Sequence, residues 1–307
     1  MAPRRVDWKF MDPSLLWIPA TLAAAAAQTA RNATQRRLTE TIGTAGATQV
    51  RFLYGFPFAL VFLSIALTLS GERLPRPDGD FFAFVAAGAG AQILATALML
   101  AAMRERSFAV VTAYVKTEPV QTALVGLLVL GDPVTAGGLA AILCATAGGM
   151  VMTGRGGGEA SVRPALLGLA AGAFFALSAI GFRGAVLALD SGGTLIRAAT
   201  TVAWALGLQT LVLTAWLAAL DRPALTGSLR AWRPSLAAGF LGALASQFWF
   251  VGFALTTAAN VRTLALVEVL MAQAVSRRLF SQGTSRREWA GLVLVTGGVG
   301  ALLWFHA

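Results

Sequence analysis

The sequence is divided into long apolar segments, most of which are long enough to cross a lipid bilayer as a helix. A hydrocarbon core about 30 Å thick needs roughly 20 apolar residues per crossing helix. Ten such segments follow one another along the chain: 14–38, 44–70, 80–103, 107–130, 134–153, 164–189, 193–219, 234–255, 257–280 and 286–305. Because lipid offers no hydrogen bonds to the backbone, each segment is expected to be helical. The sequence therefore predicts an all-α integral membrane protein with ten transmembrane helices.

The composition indicates a protein embedded in lipid. Charged residues make up 12% of the 307 residues and hydrophobic residues 57%, whereas a soluble globular protein carries about 25% charged residues. The formal net charge is +10. We attribute this charge to basic loops at lipid headgroups, and we do not expect nucleic-acid binding.

The chain is poor in the cysteines and histidines on which common catalytic and metal sites are built. Cys144 is the only cysteine, and the only histidine, His306, is the penultimate residue. We therefore expect no metal site, no cofactor and no enzyme activity. The sequence contains no Walker-type phosphate loop, which argues against an ATP-driven pump in this chain alone.

Several short motifs mark the starts of helices. Asp132 followed by Pro133 predicts an N-cap and a first-turn proline, and Ser285–Glu288 fits a capping box. Pro164 and Pro234 also lie where helices are expected to begin. These signals support the boundaries of the apolar segments.

A glycine-rich stretch divides the chain into two halves. Residues 154–161 read GRGGGEAS, so the sequence predicts a first five-helix repeat at 1–153, a linker at 154–163 and a second five-helix repeat at 164–307. A constant offset of 150 places Glu118 on Glu268, Ala109 on Ala259, Val111 on Val261, Ala140 on Ala290, Thr146 on Thr296 and Gly148 on Gly298. Because five is an odd number of crossings, equivalent halves must insert with opposite orientations. We therefore expect inverted repeats, an architecture of alternating access.

Three stretches carry a further pattern. They are RFLYGFPFALVFLSIAL at 51–67, SFAVVTAYVKTEPVQTALVGLLVLGDPVTAGGLAAILCATAGG at 107–149 and GLVLVTGGVGALL at 291–303. With its proline-bearing polar centre, GD turn and glycine-ended helix, this pattern resembles the drug/metabolite transporter superfamily, in particular its EamA-type ten-helix members. The second half departs from it at one turn, where Ser281, Gln282 and Gly283 replace the usual acidic turn.

The resemblance implies a transporter that exports a small metabolite across the cytoplasmic (inner) membrane of a bacterium, with both termini in the cytoplasm. It also implies a central cavity lined by helices 1, 3, 4, 6, 8 and 9. The cargo is left open, and an amino acid or a related amphiphilic solute is one candidate.

Seven ionisable residues lie inside the apolar segments, where an unpaired charge costs at least about 2.5 to 3.5 kcal/mol at the bilayer centre. They are Arg51, Lys116, Glu118, Arg183, Arg197, Arg262 and Glu268. Glu118 and Glu268 are equivalent in the two halves, and Lys116 and Arg262 are their candidate partners. Lys116 and Glu118 are about 200° apart around a regular helix, so they cannot pair on one face unless Pro119 breaks the helix. Two interpretations stay open, a transport site or interhelical ion pairs without a transport role.

Four arginines near the expected helix ends also have two interpretations. Arg51, Arg183 and Arg197 either take part in function or extend their side chains to lipid headgroups. Arg31 either binds an anionic group of a substrate or marks the membrane interface.

An organic solute needs hydrogen-bonding and apolar surface as well as charge. In the cavity that the resemblance implies, the candidate substrate-binding residues are Gln28, Arg31, Gln92, Tyr114, Lys116, Glu118, Gln247, Trp249, Asn260, Arg262 and Glu268. The amides and aromatic rings among them have alternative roles in core packing or lipid contact. Gly88, Gly90, Gly297 and Gly298 are interpreted as sites of close helix packing without a substrate role.

The distribution of basic residues disagrees with the orientation that the resemblance implies. With an internal N terminus, the inner segments hold five lysines and arginines and the outer loops hold 14. The positive-inside rule favours the opposite orientation. We keep the orientation with cytoplasmic termini as the expectation, because several of these arginines lie close to helix ends.

The leading hypothesis is a secondary transporter that exports a small metabolite by alternating access. Proton coupling through Glu118 or Glu268 is a subsidiary hypothesis. The alternative is a flippase for lipid or lipid-linked substrates on the same fold. The expected partners are a small-molecule substrate, membrane lipid and, with coupling, protons. One chain contains both halves, so either a monomer or a homodimer is compatible.

Overall fold

The protein is all-helical wherever its structure is described. A computed structural model describes residues 15–105, 108–153, 162–271 and 285–306, which form helices and turns and contain no strands. The helices are α1 Trp17–Leu53, α2 Gly55–Ser70, α3 Gly79–Glu105, α4 Phe108–Val115, α5 Glu118–Leu130, α6 Ala136–Thr153, α7 Val162–Ala188, α8 Thr194–Leu220, α9 Arg222–Arg230, α10 Trp232–Leu255, α11 Ala258–Leu264, α12 at 267–271 and α13 Arg286–His306. The predicted all-α class is confirmed for these residues.

Six helical stretches of the described residues are long and apolar enough to cross a membrane. They are Thr41–Ser70, Gly79–Met103, Val162–Ala188, Thr194–Leu220, Trp232–Leu255 and Arg286–Phe305. The chain is therefore a multi-pass membrane protein. The fourth and ninth predicted segments are interrupted helices, and the apolar part of α6, Ala136–Val151, is shorter than the six. Ten crossings stay a prediction.

The outer surface of the helices carries large apolar side chains. Leu69 is 81% exposed, Leu128 is 74% exposed and Trp304 is 79% exposed. In water such side chains would mark an interaction surface. Here they lie on helices of membrane-spanning length or composition, where lipid tails are the expected surroundings.

The first two predicted segments are joined by a bend within α1. Gly43 has φ 70° and ψ 175°, which interrupts the helical geometry between residue 17 and residue 53. A positive φ is readily adopted by glycine because it has no Cβ. The bend therefore falls between the predicted first and second segments, and the chain reverses without a loop.

Two helices are broken at positions that lie 149 residues apart in the chain. Helix α4 ends at Val115 and α5 begins at Glu118, so the fourth predicted helix is interrupted at Lys116 and Thr117. The ninth is interrupted at Ala265 and Leu266, between α11 and α12. Pro119 contributes to the first break, since proline disfavours helical geometry at the residue before it. The second break has no proline, and the sequence does not predict it.

Small residues allow the long helices to approach closely in pairs. Helix α3 packs along α7, α1 along α10 and α6 along α13. A Cβ on Gly181 would lie 2.7 Å from the Cα of Gly88, and one on Gly298 would lie 2.4 Å from the backbone nitrogen of Ala145. The packing role of Gly88 and Gly298 is thus confirmed. It is wrong for Gly90 and Gly297, where an added Cβ would meet no heavy atom within 4 Å.

The helix starts follow the predicted signals with one exception. The Ser285 and Glu288 capping box is formed, with the Glu288 carboxylate accepting from the Ser285 N–H and the Ser285 hydroxyl accepting from the Glu288 N–H. Pro164 and Pro234 lie in the first turns of α7 and α10. Asp132 is not the N-cap of α6. The Thr135 hydroxyl accepts from the Gly138 N–H instead, at 3.0 Å.

Two predicted features fall where the structure is not described. Residues 154–161 of the expected linker and the turn at 281–283 both lie outside the described residues.

Candidate functional site

Two ion pairs lie beside the two helix breaks, and each pair joins the halves. The Lys116 ammonium donates to Oε1 of Glu268. The Nε atom of Arg262 lies 3.0 Å from Oε1 of Glu118. Each carboxylate of one half is therefore neutralised by a cation of the other half. The sequence named these four residues as partners, and the structure shows which cation pairs with which carboxylate.

A glutamine of α1 ties the second carboxylate to α10. The Gln28 amide nitrogen donates to Oε2 of Glu268 at 3.2 Å, and its carbonyl oxygen accepts from Nε1 of Trp249 at 3.3 Å. The two oxygens of Glu268 thus have different donors. This network fixes the amide orientation of Gln28, because only that orientation satisfies both neighbours.

Aromatic rings cover one side of the Arg262 guanidinium. Its Cζ lies 5.0 Å from the ring centre of Trp249 and 5.4 Å from that of Phe253. A cation within about 6 Å of a ring face is attracted by the ring quadrupole. The site therefore combines charged groups with an apolar wall.

These groups surround a small cavity of about 40 Å³. Its lining residues come from α1, from both helix breaks and from the helices that flank them: Gln28, Lys116, Glu118, Pro119, Arg262, Ala265, Leu266 and Glu268. Ligand pockets of drug size are about 300 to 1,000 Å³. In this conformation the cavity has room for water and is too small for an organic solute.

The structure brings together seven of the predicted site residues. Gln28, Lys116, Glu118, Arg262 and Glu268 line the cavity, and Trp249 adjoins it through Gln28 and Arg262. Arg31 is 6% exposed and lies within the electrostatic influence of Glu268. Arg31 is thus buried within the protein.

The other four predicted residues do not line this cavity. The Gln92 carbonyl accepts from the Gln209 amide at 2.7 Å, which joins α3 to α8. Tyr114 packs against Gly168 of α7, where an added Cβ would lie 2.7 Å from the tyrosine Cβ. The Asn260 amide donates to the Thr256 hydroxyl at the start of α11. Gln247 is 7% exposed, and its two polar side-chain atoms lack hydrogen-bond partners among the described residues.

Arg183 does not extend to lipid headgroups as one interpretation held. Its guanidinium forms a bidentate pair with Asp132, at 2.9 Å and 3.0 Å, and donates to the carbonyl oxygens of Phe253 and Thr256. The carbonyls belong to the end of α10 and the connection that follows. Arg183 therefore fastens α7 to the turn between α5 and α6 and to the end of α10. The sequence feature that could have indicated this contact is Asp132, an acidic residue between two apolar segments.

Arg51 is partly buried and was not placed among the site residues by sequence reasoning. Its Nε atom is buried, and an added Cβ on Gly242 would lie 3.5 Å from the Cγ of Arg51 and 3.5 Å from the Cδ of Arg31. Both arginines of α1 thus meet the same glycine of α10. The Nε of Arg197 is also buried, while the side chains of Arg51 and Arg197 are each partly exposed.

The described residues offer no obvious metal site. No group of three or more His, Cys, Asp or Glu side chains in the described ranges lies close enough together to hold a metal ion.

Together the apolar helices and the buried charge cluster define a multi-pass membrane protein with a polar centre. The model of the EamA-like transporter family matches residues 15–154. Over that range the match confirms the resemblance to the drug/metabolite transporter superfamily that was drawn from the sequence.

A solved structure extends the similarity in fold to the whole chain. It is described as "Crystal structure of protein", with 17% sequence identity, a TM-score of 0.69 and coverage of 95% of this chain and 98% of its own. At this identity the likeness concerns the fold alone. No curated protein sequence matches the chain.

Proposed function

We propose that the protein is a secondary transporter that moves a small solute across the cytoplasmic membrane by alternating access. The observation that carries the proposal is the meeting of two broken helices at a buried cluster of charges between the halves. Broken helices in a membrane core are tolerated where they are buried or line a cavity, and transporters place substrate sites at such breaks. The EamA-like match over the first half supports the same conclusion.

The proposed ten helices form two inverted repeats, 1–153 and 164–307. Contacts between α6 and α13 support this arrangement, because the offset of 150 places Ala145 on Val295 and Gly148 on Gly298 and so exchanges two of these contacts. Gly148 faces the backbone nitrogen of Val295, and Gly298 faces that of Ala145. The Cys144 thiol also lies 3.5 Å from the Leu294 carbonyl oxygen. Residues i and i+150 lie opposite each other where a pseudo-twofold axis passes between two equivalent helices.

Alternating access requires the halves to separate around the cavity. The cavity of about 40 Å³ must widen before an organic solute can enter. The pairs of Lys116 with Glu268 and of Arg262 with Glu118 cross from one half to the other, so a solute that competes for these groups couples its binding to the movement. The clasp formed by Arg183 and Asp132 also crosses between the halves and must open when they part at that end.

The proposed direction is export of a small metabolite such as an amino acid or a related amphiphilic solute. The charged groups suit the polar end of such a solute, and Trp249 and Phe253 suit its apolar part. Membrane lipid surrounds the protein, and one chain contains both halves, so a monomer is sufficient. A homodimer remains compatible with this account.

A thermal-stability screen of the purified protein tests the proposal. A ligand that binds the folded state raises its melting temperature by mass action. We expect one class among amino acids, nucleosides, polyamines and cationic drugs to stabilise the wild type and to lose its effect in Glu118→Gln or Glu268→Gln. Glu105→Gln is the matched control, because Glu105 pairs with Arg163 on the surface, where the Arg163 side chain is 79% exposed. An equal ligand effect in all three variants would contradict the proposed site.

Proton coupling through Glu118 or Glu268 is tested separately. We expect a pH gradient to drive transport in vesicles that contain the wild type, and not in vesicles that contain the variant in which both carboxylates are replaced by glutamine. Unchanged gradient-driven transport in the double variant would remove the coupling hypothesis and leave the transporter proposal intact.

A further inference from the structure

The short helix α9 joins two helices of membrane-spanning length at one end of the molecule. It covers Arg222–Arg230, between the end of α8 at Leu220 and the start of α10 at Trp232. Both neighbours are long and apolar enough to cross a membrane, whereas α9 has nine residues. Nine helical residues span about 14 Å, which is less than half the thickness of the hydrocarbon core. Helix α9 therefore lies at the boundary between lipid and water.

One face of α9 packs against α1 at its bend. An added Cβ on Gly46 would lie 3.2 Å from the Ala224 carbonyl oxygen, and one on Gly227 would lie 3.5 Å from the side chain of Ile42. Ile42 and Gly46 lie on the two sides of the bend at Gly43. Whatever holds α9 in place therefore also supports this bend.

The opposite face of α9 carries exposed arginines. Arg222 and Arg230 are both exposed, and eight residues of helix place them about 12 Å apart along the axis and about 80° apart around it. Leu229 lies beside them and is 50% exposed. The start of α10 adds Trp232, which is 47% exposed, and Arg233, whose Cζ lies 5.2 Å from the centre of that ring. We call these five exposed residues the α9 surface.

The positive charge of the α9 surface is not balanced by the described residues. Residues 222–267 contain no aspartate or glutamate. The carboxylate of Asp221, which precedes them, accepts from the Ala224 N–H as the N-cap of α9. None of the four ion pairs between described residues includes an arginine of this surface. Three guanidinium groups are thus presented to the membrane boundary.

The other end of α8 has the opposite charge. Residues 71–80 and 189–193 meet there, since the Glu72 carboxylate accepts from the Gly193 N–H. These two stretches contain four acidic residues and two arginines. The excess of positive charge therefore belongs to the α9 surface and is not shared by both ends of the helix.

We propose that the α9 surface binds the headgroups of anionic phospholipids. Guanidinium groups match the oxygens of a lipid phosphate, and basic residues at a membrane boundary are attracted to anionic lipids. An exposed tryptophan and leucine beside them suit the layer between headgroups and acyl chains. A bound lipid would hold α9 against the bend of α1 and so stabilise the fold. This surface goes beyond the proposed function, because it requires no transport.

Thermal-stability titrations with lipid test the α9 surface. The purified protein in a neutral detergent is titrated with dioctanoyl phosphatidylglycerol or with dioctanoyl phosphatidylcholine, which have the same tails and differ in the net charge of the headgroup. A lipid that binds the folded state raises its melting temperature by mass action. We expect phosphatidylglycerol to raise the melting temperature of the wild type more than phosphatidylcholine does, and added salt to weaken the difference.

Replacing the three arginines separates their charge from the fold. The variant Arg222→Gln with Arg230→Gln and Arg233→Gln is expected to bind phosphatidylglycerol roughly 10 to 100-fold more weakly than the wild type. The corresponding triple lysine variant keeps the charge and is expected to keep most of the binding. Without lipid, both variants are expected to melt close to the wild-type temperature, because all three side chains are exposed.

The matched control removes the same charge elsewhere. Arg73, Arg76 and Arg163 are exposed and lie outside the α9 surface. The triple variant Arg73→Gln with Arg76→Gln and Arg163→Gln is expected to bind phosphatidylglycerol as the wild type does.

Several results would overturn the inference. Equal binding of phosphatidylglycerol by the wild type and the triple glutamine variant of the α9 surface would do so, as would an equal loss in the control. Equal stabilisation by inorganic phosphate at the same concentration would assign the arginines to a soluble anion instead. A change of oligomeric state in the triple glutamine variant, without loss of lipid binding, would assign the surface to contact between copies of the chain. Each of these results would leave the transporter proposal standing, because none measures the movement of a solute.

Discussion

Glu268 is the residue on which the charge cluster depends most. It accepts from Lys116 with one oxygen and from Gln28 with the other, and its side chain is 23% exposed. Removing one member of a mostly buried ion pair leaves the other charge uncompensated, which costs more than the pair itself contributes. Replacing both members of the pair is therefore expected to cost less stability than replacing one of them.

We predict that Glu268→Gln destabilises the protein by about 3 kcal/mol and that adding Lys116→Met recovers most of the loss. The measurement is the melting temperature in detergent of the wild type, the two single variants and the double variant. If the double variant is no more stable than Glu268→Gln, the pair is not the source of the effect. A double variant that is stable but transports normally would show that the pair has only a structural role.

At the residue scale, the sequence predicts the members of the cluster better than their contacts. The members of the cluster are recognisable in the sequence because an unpaired charge inside a membrane segment costs free energy. They are Glu118, Glu268, Lys116 and Arg262. Their pairing depends on how the halves pack, which the sequence does not specify. Gln92 and Gln28 are both glutamines inside apolar segments, so the sequence does not distinguish them. The side-chain carbonyl of Gln92 accepts from Gln209, and no local pattern predicts this contact between α3 and α8.

At the scale of helices, the contact between α6 and α13 depends on the absence of a side chain. A Cβ on Gly298 would lie 2.4 Å from the Ala145 nitrogen, whereas one on Gly297 would meet nothing within 4 Å. We predict that Gly298→Ala destabilises the protein by about 1 to 3 kcal/mol. Gly297→Ala is the control and should be neutral or stabilising by up to about 1 kcal/mol. Equal melting temperatures for the two variants would contradict this packing.

The Arg183 clasp predicts a second difference between matched variants. Arg183→Gln leaves Asp132 and two carbonyl oxygens without their donor, so we expect a loss of about 3 kcal/mol. Arg163→Gln removes an exposed pair and should cost less than about 1 kcal/mol. Both values are read from thermal melting in detergent. Similar losses of stability in the two variants would mean that the contacts of Arg183 do not stabilise the packing of α7.

Helix interruptions show why elements are only partly predictable. Pro119 gives a local reason for the break between α4 and α5. The break at Ala265 and Leu266 has neither proline nor glycine, and no local sequence pattern accounts for it. The predicted N-cap of α6 is wrong for a related reason, because Asp132 pairs with a distant arginine and Thr135 takes its place.

At the scale of the whole molecule, the orientation in the membrane is open to a direct test. The connection between α2 and α3 lies on the same side as the start of α8, since the Glu72 carboxylate accepts from the Gly193 N–H. Helix α9 follows the end of α8 and lies on the other side. With cytoplasmic termini, Arg230→Cys is expected to react with an impermeant maleimide on intact cells and Arg73→Cys is not.

The labelling background is Cys144→Ala, because Cys144 is the only natural cysteine. Labelling of Arg73→Cys without labelling of Arg230→Cys would reverse the orientation. That result would agree with the orientation that the distribution of arginines favours, and it would contradict the cytoplasmic termini expected from the family.

The general plan of the molecule is its most predictable level. The length of the apolar segments is enough to indicate membrane helices, while the two comparable halves that the offset of 150 indicates stay a prediction. The bend at Gly43, which merges two expected helices into α1, is not predictable in this way, and neither is the position of Arg51 beside Gly242. Both depend on the packing of α1 against α10, which a sequence pattern does not specify.

Tracer exchange in proteoliposomes is the most direct test of transport through the central charge cluster. Vesicles containing the wild type, the double variant Lys116→Met with Glu268→Gln, or no protein are loaded with unlabelled solute and supplied with the labelled form, for amino acids, organic acids, phosphate and nucleosides in turn. We predict that the wild type exchanges at least one of these solutes and that the folded double variant does not. Exchange by both proteins at the same rate, or by neither for every solute, would contradict transport through the cluster.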